Sequence, residues 1–382
     1  MTTDAGYDVA IIGGGVIGLA TAWRAAQRGL TVTVIDPEPA GGASYASAGM
    51  LAPATEAAYG EERLLQLELA SKERYPAFVA ELEELTETGA GYRDQGTLEV
   101  AFDADDLAVL NDRYRFQQSL GIRLERLTGR ECRKLEPMLA PSVRGGLFAP
   151  EDHSIDPRLL TRALLVAAER SGVRLLRARA ERLLAADDRT VGVRVDGVEI
   201  AAPHVVLAAG CWSGEIDGVP SDASPPVRPV KGQILRLRTP VPFLTYTVRG
   251  VVQGSAVYVV PRADGEVVVG ATQEEMGYDT RVTAGGVYGL LRDASAVLPG
   301  ITELELTETR VGLRPGSPDN APVIGATTLP GLYVATGHHR SGVLLTPVTA
   351  DAMAEIIVTG RPPREVADFS PRRFERFEGA RA

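Results

Sequence analysis

Val9-Ala-Ile-Ile12 is a short unbroken apolar run, the pattern of a parallel strand buried on both faces. Gly13-Gly-Gly-Val-Ile-Gly18 follows. Residues 19–28 then carry helical spacing and end at Gly29, a residue favoured just past a helix C-terminus. Thr31-Val-Thr-Val-Ile35 predicts a second buried strand, ending at Asp36. Together they make half of a βαβ unit.

Farther along, residues 61–85, 105–120 and 158–171 repeat apolar positions at helical spacing. The last begins at Asp156-Pro157, an N-cap followed by proline at the first helical position. Thr128 with Glu131 fits a capping box. Residues 96–102, 174–177, 191–195 and 204–209 read as strands. From Pro225 the texture changes: 232–237, 257–261 and 267–271 alternate like antiparallel strands, with Asp264-Gly265 as a hairpin signal. A helix is predicted near 285–298, strands near 304–311 and 332–336, a final helix over 343–358, and a polar tail from Arg361. An antiparallel block inserted into α/β texture predicts an α/β fold of two interleaved domains.

The length of 382 residues suits two or three structural units. A hydrophobic fraction of 45% and a charged fraction of 24% exclude a disordered chain. The net charge of -10 opposes nucleic-acid and anionic-membrane partners. The two cysteines, Cys132 and Cys211, are too few for a disulfide framework or a Cys-rich zinc site. With neither a signal peptide nor a run of ~18 apolar residues, the expected location is cytoplasmic.

Gly13, Gly15 and Gly18 form G-x-G-x-x-G between a strand and a helix, and Asp36 ends the next strand 18 residues beyond Gly18. The first glycine permits a tight turn, the second lets backbone approach a pyrophosphate, and the third lets helix pack on strand. FAD and NAD share this fingerprint. Val205-Val-Leu-Ala-Ala-Gly-Cys-Trp-Ser213, with Gly210 at its small-residue end, suits a strand beside the nucleotide or an ordinary core strand. His338 and His339 are adjacent and lack an acidic or cysteine partner at ligand spacing, so no metal is expected.

Several segments then occur in order: the 13–18 loop with Asp36, Gly41-Gly-Ala-Ser-Tyr-Ala-Ser-Ala-Gly-Met-Leu-Ala-Pro53, Val206-Leu-Ala-Ala-Gly-Cys-Trp-Ser213, Pro229-Val-Lys-Gly-Gln233, Tyr258-Val-Val-Pro-Arg262, Val269-Gly-Ala-Thr272, Gly312-Leu-Arg-Pro-Gly316 and Gly337-His-His-Arg-Ser-Gly-Val-Leu-Leu345. Together they resemble the D-amino-acid-oxidase-type FAD-dependent oxidoreductases, in their glycine-oxidase branch, over almost the whole chain. The resemblance implies a Rossmann-like FAD-binding domain (1–85, 145–225 and 318–365) interleaved with an antiparallel-sheet α+β substrate domain (86–144 and 226–317), with 366–382 as a C-terminal tail.

By the same resemblance, Val16 and Ile17 lie at the pyrophosphate, and Asp36 and Pro37 at the adenosine ribose. Ser44, Tyr45, Ala48, Gly49 and Met50 wrap the flavin, and Glu181 meets the adenine through its backbone. His338, His339, Arg340, Ser341, Gly342, Val343 and Leu344 face the pyrimidine end of the flavin, opening the last helix there. Arg314 grips the substrate carboxylate, Tyr258 assists, and Arg340 is a second active-site arginine. A planar guanidinium suits the first task, because it makes two parallel hydrogen bonds to a carboxylate. Relatives often carry Met where this chain has Gln273, so a more polar pocket wall is expected there.

The implied reaction is oxidative deamination of glycine or another small amine or D-amino acid. Hydride passes to non-covalent FAD, O2 becomes H2O2, and the imino acid serves thiamine-thiazole synthesis. A homotetramer is expected by family analogy. A D-amino-acid dehydrogenase, a sarcosine-type oxidase and a non-enzymatic flavin-binding protein are the alternatives.

Overall fold

The computed structural model describes residues 6–374. The apolar runs assemble into a six-stranded sheet, in the order Val323–Ala326, Leu332–Thr336, His204–Leu207, Val9–Ile12, Val32–Ile35 and Arg174–Leu176. All pairs are parallel except the first. Alternation along Val9–Ile12 explains why it is apolar throughout. Val9 and Ile11 join one core with the helices Val16–Gln27, Glu62–Thr86, Pro157–Arg170 and Thr346–Thr359. Ala10 and Ile12 pack on the other side against a three-stranded antiparallel sheet of Ala180–Ala186, Arg189–Val195 and Val198–Ala201.

A second sheet has eight strands, in the order Glu305–Gly316, Arg228–Arg238, Glu266–Gly270, Ser255–Pro261, Thr247–Val252, Thr97–Ala101, Gly145–Ala149 and Glu125–Thr128. It is antiparallel apart from the pairing of Thr247–Val252 with Thr97–Ala101. Leu235, Val257 and Val259 of one face pack against the helix Ala284–Val297. Ile234, Val260 and Val268 face the opposite way, toward Ala48 and Met50.

The capping box at Thr128 and Glu131 and the Asp156 N-cap with Pro157 both form. Four expectations need correction. Gly145–Ala149, grouped above with the nucleotide half, pairs in the eight-stranded sheet; its paired glycines let it pass close over the Glu99 carbonyl, which masks any alternating pattern. The strand expected over 304–311 runs on to Gly316, paired with Arg228–Arg238. The final helix begins at Thr346 rather than 343, after a 3-10 turn at His339–Ser341. The expected tail is ordered as two 3-10 turns up to Phe374, burying Val366 and Phe369 and pairing Arg373 with Asp319 at 2.8 Å. The rest of that tail, 375–382, lies outside the described residues.

Candidate active site

A cavity of about 900 Å³ is lined from both large sheets. At one end Gly13, Gly15, Val16, Ile17, Asp36 and Pro37 form its wall, with Gly210 and Glu181 nearby. Gly13 has a φ of +113°, and a Cβ there would run into the backbone of Ala208. Gly18 does not line the cavity: a Cβ on it would overlap the Gly13 carbonyl, so its task is to let the helix seat under the turn. The N-cap of the helix Val16–Gln27 is Gly15, which has no side chain to cap it; Val16 N donates to Ser44 Oγ at 3.2 Å, and positive partial charge remains at the helix start. The Asp36 carboxylate accepts hydrogen bonds from Gly14 N at 2.6 Å and Glu38 N at 2.7 Å, fixing it at the strand end.

Midway, Ser44, Ala48, Gly49 and Met50 line the wall. Tyr45 does not: its ring lies beneath the guanidinium of Arg158, 3.8 Å away, so its contribution is to join the segment to the helix Pro157–Arg170. His338, His339, Arg340, Gly342 and Val343 line the cavity from the turn after Leu332–Thr336. Ser341 and Leu344 are turned away. Ser341 donates to the buried Glu68 at 2.6 Å, and Leu344 sits in the core. Burial pushes His338 down to about 3 and His339 down to about 4, so both imidazoles are neutral at pH 7. Because the last helix starts at Thr346, the 3-10 turn and the Gly342-Val343 backbone meet the cavity instead of an α-helix N-terminus.

The far end is built on one face of the eight-stranded sheet. Glu99, Arg249, Tyr258, Gly270 and Ile234 stand directly opposite one another across successive strands, so they share that face. Gly232 and Gly312 form the next row, and Arg314 stands opposite Val230. A Cβ on Gly270 would overlap the Tyr258 hydroxyl, and one on Gly232 would overlap the Arg314 guanidinium. Two bare positions therefore let both side chains lie flat across the sheet into the cavity. Arg314 Nη1 donates to the Thr272 carbonyl at 3.1 Å. Among the described residues no carboxylate lies within ion-pair distance of it. Burial pushes the Tyr258 hydroxyl above its ordinary range, and the neighbouring Arg314 pulls against that rise.

Arg340 differs. It pairs with Glu61 and, at 3.7 Å, with Glu56. Burial works against its charge, but the two acids hold its pKa above the ordinary value. Glu56 also pairs with Arg249 at 2.7 Å. Neither Glu56 nor Arg249 was found from sequence. Glu56 ends a four-residue helix, Pro53–Glu56, anchored by the buried Asp152, which accepts from Ala54 N at 3.0 Å and Thr55 N at 2.7 Å. Pro53, as a helix-start residue, was its one local signal. Arg249 lies on Thr247–Val252, whose lone charge among β-branched residues could have marked a strand facing a polar site. Gln273 is exposed and outside the cavity, so it does not form the polar pocket wall expected of it.

Backbone made close by absent side chains at one end, small residues midway, and a guanidinium without an acid partner at the other end fit a dinucleotide with a small carboxylate beside it. The chain matches the family described as DAO, FAD dependent oxidoreductase, over residues 8–356. It is 35% identical over 97% of its length to the bifunctional protein ThiO/ThiG of Trichormus variabilis, covering 55% of that protein. The chain thus spans about half the length of such bifunctional relatives. It is 34% identical to the glycine oxidase of Geobacillus kaustophilus, with 95% of this chain and 96% of that one covered. A crystal structure of glycine oxidase from that organism superposes with a TM-score of 0.89 at 33% identity, covering 95% of this chain and 98% of the other. The iminodiacetate oxidase of Chelativorans sp. BNC1 gives 0.85 at 30% identity, covering 95% and 98%. This chain belongs to the DAO family of FAD dependent oxidoreductases.

Proposed function

We propose that this protein oxidatively deaminates glycine and comparably small amines or D-amino acids, with FAD bound non-covalently and O2 reduced to H2O2. The observation that carries the reading is Arg314: an arginine that lines the cavity beside Tyr258, donates to the Thr272 carbonyl and, among the described residues, has no carboxylate within ion-pair distance. When bound, FAD would supply the acceptor for the hydride equivalent that leaves the substrate Cα. Arg314 grips the substrate carboxylate through paired hydrogen bonds and so fixes which bond faces the cofactor. Tyr258, held protonated by burial, donates a further hydrogen bond. Arg340, neutralised by Glu61 and Glu56, supports the turn around the cofactor rather than competing for the substrate. The amine loses a proton as Cα loses its hydride, leaving an imino acid, and O2 takes up two electrons and two protons. The likeness to proteins named ThiO/ThiG supports a further step, supply of that imino acid for the thiazole of thiamine.

Glycine added without air should bleach the yellow holoenzyme, and readmitted air should restore the colour with H2O2 formed. Bleaching without oxygen uptake would indicate a dehydrogenase. Arg314→Ala should lose about 2–5 kcal/mol in kcat/KM for glycine. Unchanged kcat/KM in that variant would remove the basis of the reading.

A further inference from the structure

Lys231 lies on the strand Arg228–Arg238 next to Gly232, which lines the cavity, so its side chain points to the back of the sheet. It is fully buried, and its Nζ has no hydrogen-bond partner. Two carboxylates face it at ion-pair distance, Glu274 at 3.7 Å and Asp279 at 3.6 Å. Both belong to the irregular segment 271–283 that follows Glu266–Gly270. The backbones of Lys231 and Glu274 also exchange two hydrogen bonds of 2.9 Å. Gln233, the next side chain on the same face, donates to Glu274 at 2.8 Å and to Thr283 at 2.9 Å. This segment carries Thr272, whose carbonyl holds Arg314 on the cavity side.

We propose that Lys231 is a positioning residue for the carboxylate clamp: from the back of the sheet it holds the segment whose Thr272 carbonyl sets the place of Arg314. The inference rests on the reading of Arg314 given above. A buried ammonium between two acids resists leaving, because losing either side strands charge away from water. Without it, Asp279 keeps its pair with Arg281 and Glu274 keeps its hydrogen bonds from Gln233 and Thr272, but the buried charge that ties both acids to the strand is gone; the segment moves outward, and Thr272 no longer orients the guanidinium. Arg314 keeps its charge but loses its direction. Carboxylate binding weakens, while the cofactor end, on the other large sheet, is untouched.

The test uses the holoenzymes of the parent, Lys231→Met, Glu274→Gln and Arg314→Ala. Each is titrated with acetate while the flavin absorbance is followed. FAD affinity and glycine kinetics are measured in parallel. Lys231→Met should raise the acetate Kd and the glycine KM by about tenfold or more, with a smaller fall in turnover at saturating glycine and FAD affinity at the parent level. Glu274→Gln should shift the acetate Kd in the same direction by less, and it serves alone if Lys231→Met does not fold. A parental acetate Kd in the Lys231 and Glu274 variants, with Arg314→Ala impaired, overturns this inference and leaves the clamp standing. Equal losses of acetate and FAD binding also overturn it, because they mark general destabilisation. Parental acetate binding in Arg314→Ala overturns the clamp itself.

Discussion

Around the glycine turn the cavity wall is largely backbone; at the opposite end it is charged side chains reaching in from a short helix, a strand and a 3-10 turn. The first kind of wall works by what is missing. Gly13, Gly18 and Gly49 each stand where a Cβ would enter another backbone group. The second kind works by compensation. Glu61, Arg340, Glu56, Arg249 and Glu99 form a chain of alternating charge beside Arg314, which alone of these arginines has no acid partner. Backbone recognition tolerates no added atom, whereas side-chain recognition tolerates a repositioned neighbour at a graded cost. Substitutions at the two ends should therefore fail in different ways.

The largest effect is expected at the turn. In Gly18→Ala the new methyl meets the Gly13 carbonyl, and neither group is the free end of a flexible side chain. The cost should exceed about 4 kcal/mol, the range of severe core lesions. The protein should purify colourless or aggregate, read as the ratio of absorbance at the flavin band to that of the protein. Gly232→Ala adds the same methyl at the other end, but it meets the guanidinium of Arg314, which can swing aside. Full flavin content with a loss on the order of 10²-fold in kcat/KM for glycine is expected, the penalty of a misdirected binding group. If both variants lose flavin alike, the contrast between the two ends is wrong.

The same contrast explains what could be read in the sequence. The end around the glycine turn depends on glycines at fixed spacing within one βαβ half-unit, so the 13–18 loop and Asp36 were legible from local pattern alone. The far end brings together residues 56, 249, 258 and 314, from four separate elements. Tyr258 and Arg314 were reached through family resemblance, and Glu56 and Arg249 were not reached. No local spacing encodes a contact made across neighbouring strands. Tyr45 and Ser341 erred for a related reason: they neighbour cavity residues in the chain, but their side chains turn the other way, to Arg158 and Glu68.

A moderate effect is expected behind the turn that joins the two ends. Burial pushes Glu68 up to about 8, against the hydrogen bond it accepts from Ser341. Between the ordinary carboxylate range and about 8, the folded protein holds a proton that the unfolded chain has released. Stability should therefore fall as pH rises through that window. Glu68→Gln keeps an acceptor for Ser341 and removes the titration. Its thermal midpoint should exceed the parent's by a few degrees at pH 9, roughly 1–2 kcal/mol, and approach it near pH 5. Parallel profiles across that range would show that Glu68 does not control this slope.

The smallest effect is expected at Gln273, which the resemblance suggested as a pocket position. Gln273 sits between Thr272, whose carbonyl holds Arg314, and Glu274, which faces Lys231. Its own side chain is exposed and touches no cavity wall. Gln273→Met changes neither the backbone that holds Arg314 nor the lining of the cavity. The ratio of kcat/KM for glycine to that for sarcosine should stay within about twofold of the parent, the scale of a surface change. A larger shift would mean that the segment 271–283 folds inward when substrate binds, making the far end a wall that closes rather than one already built.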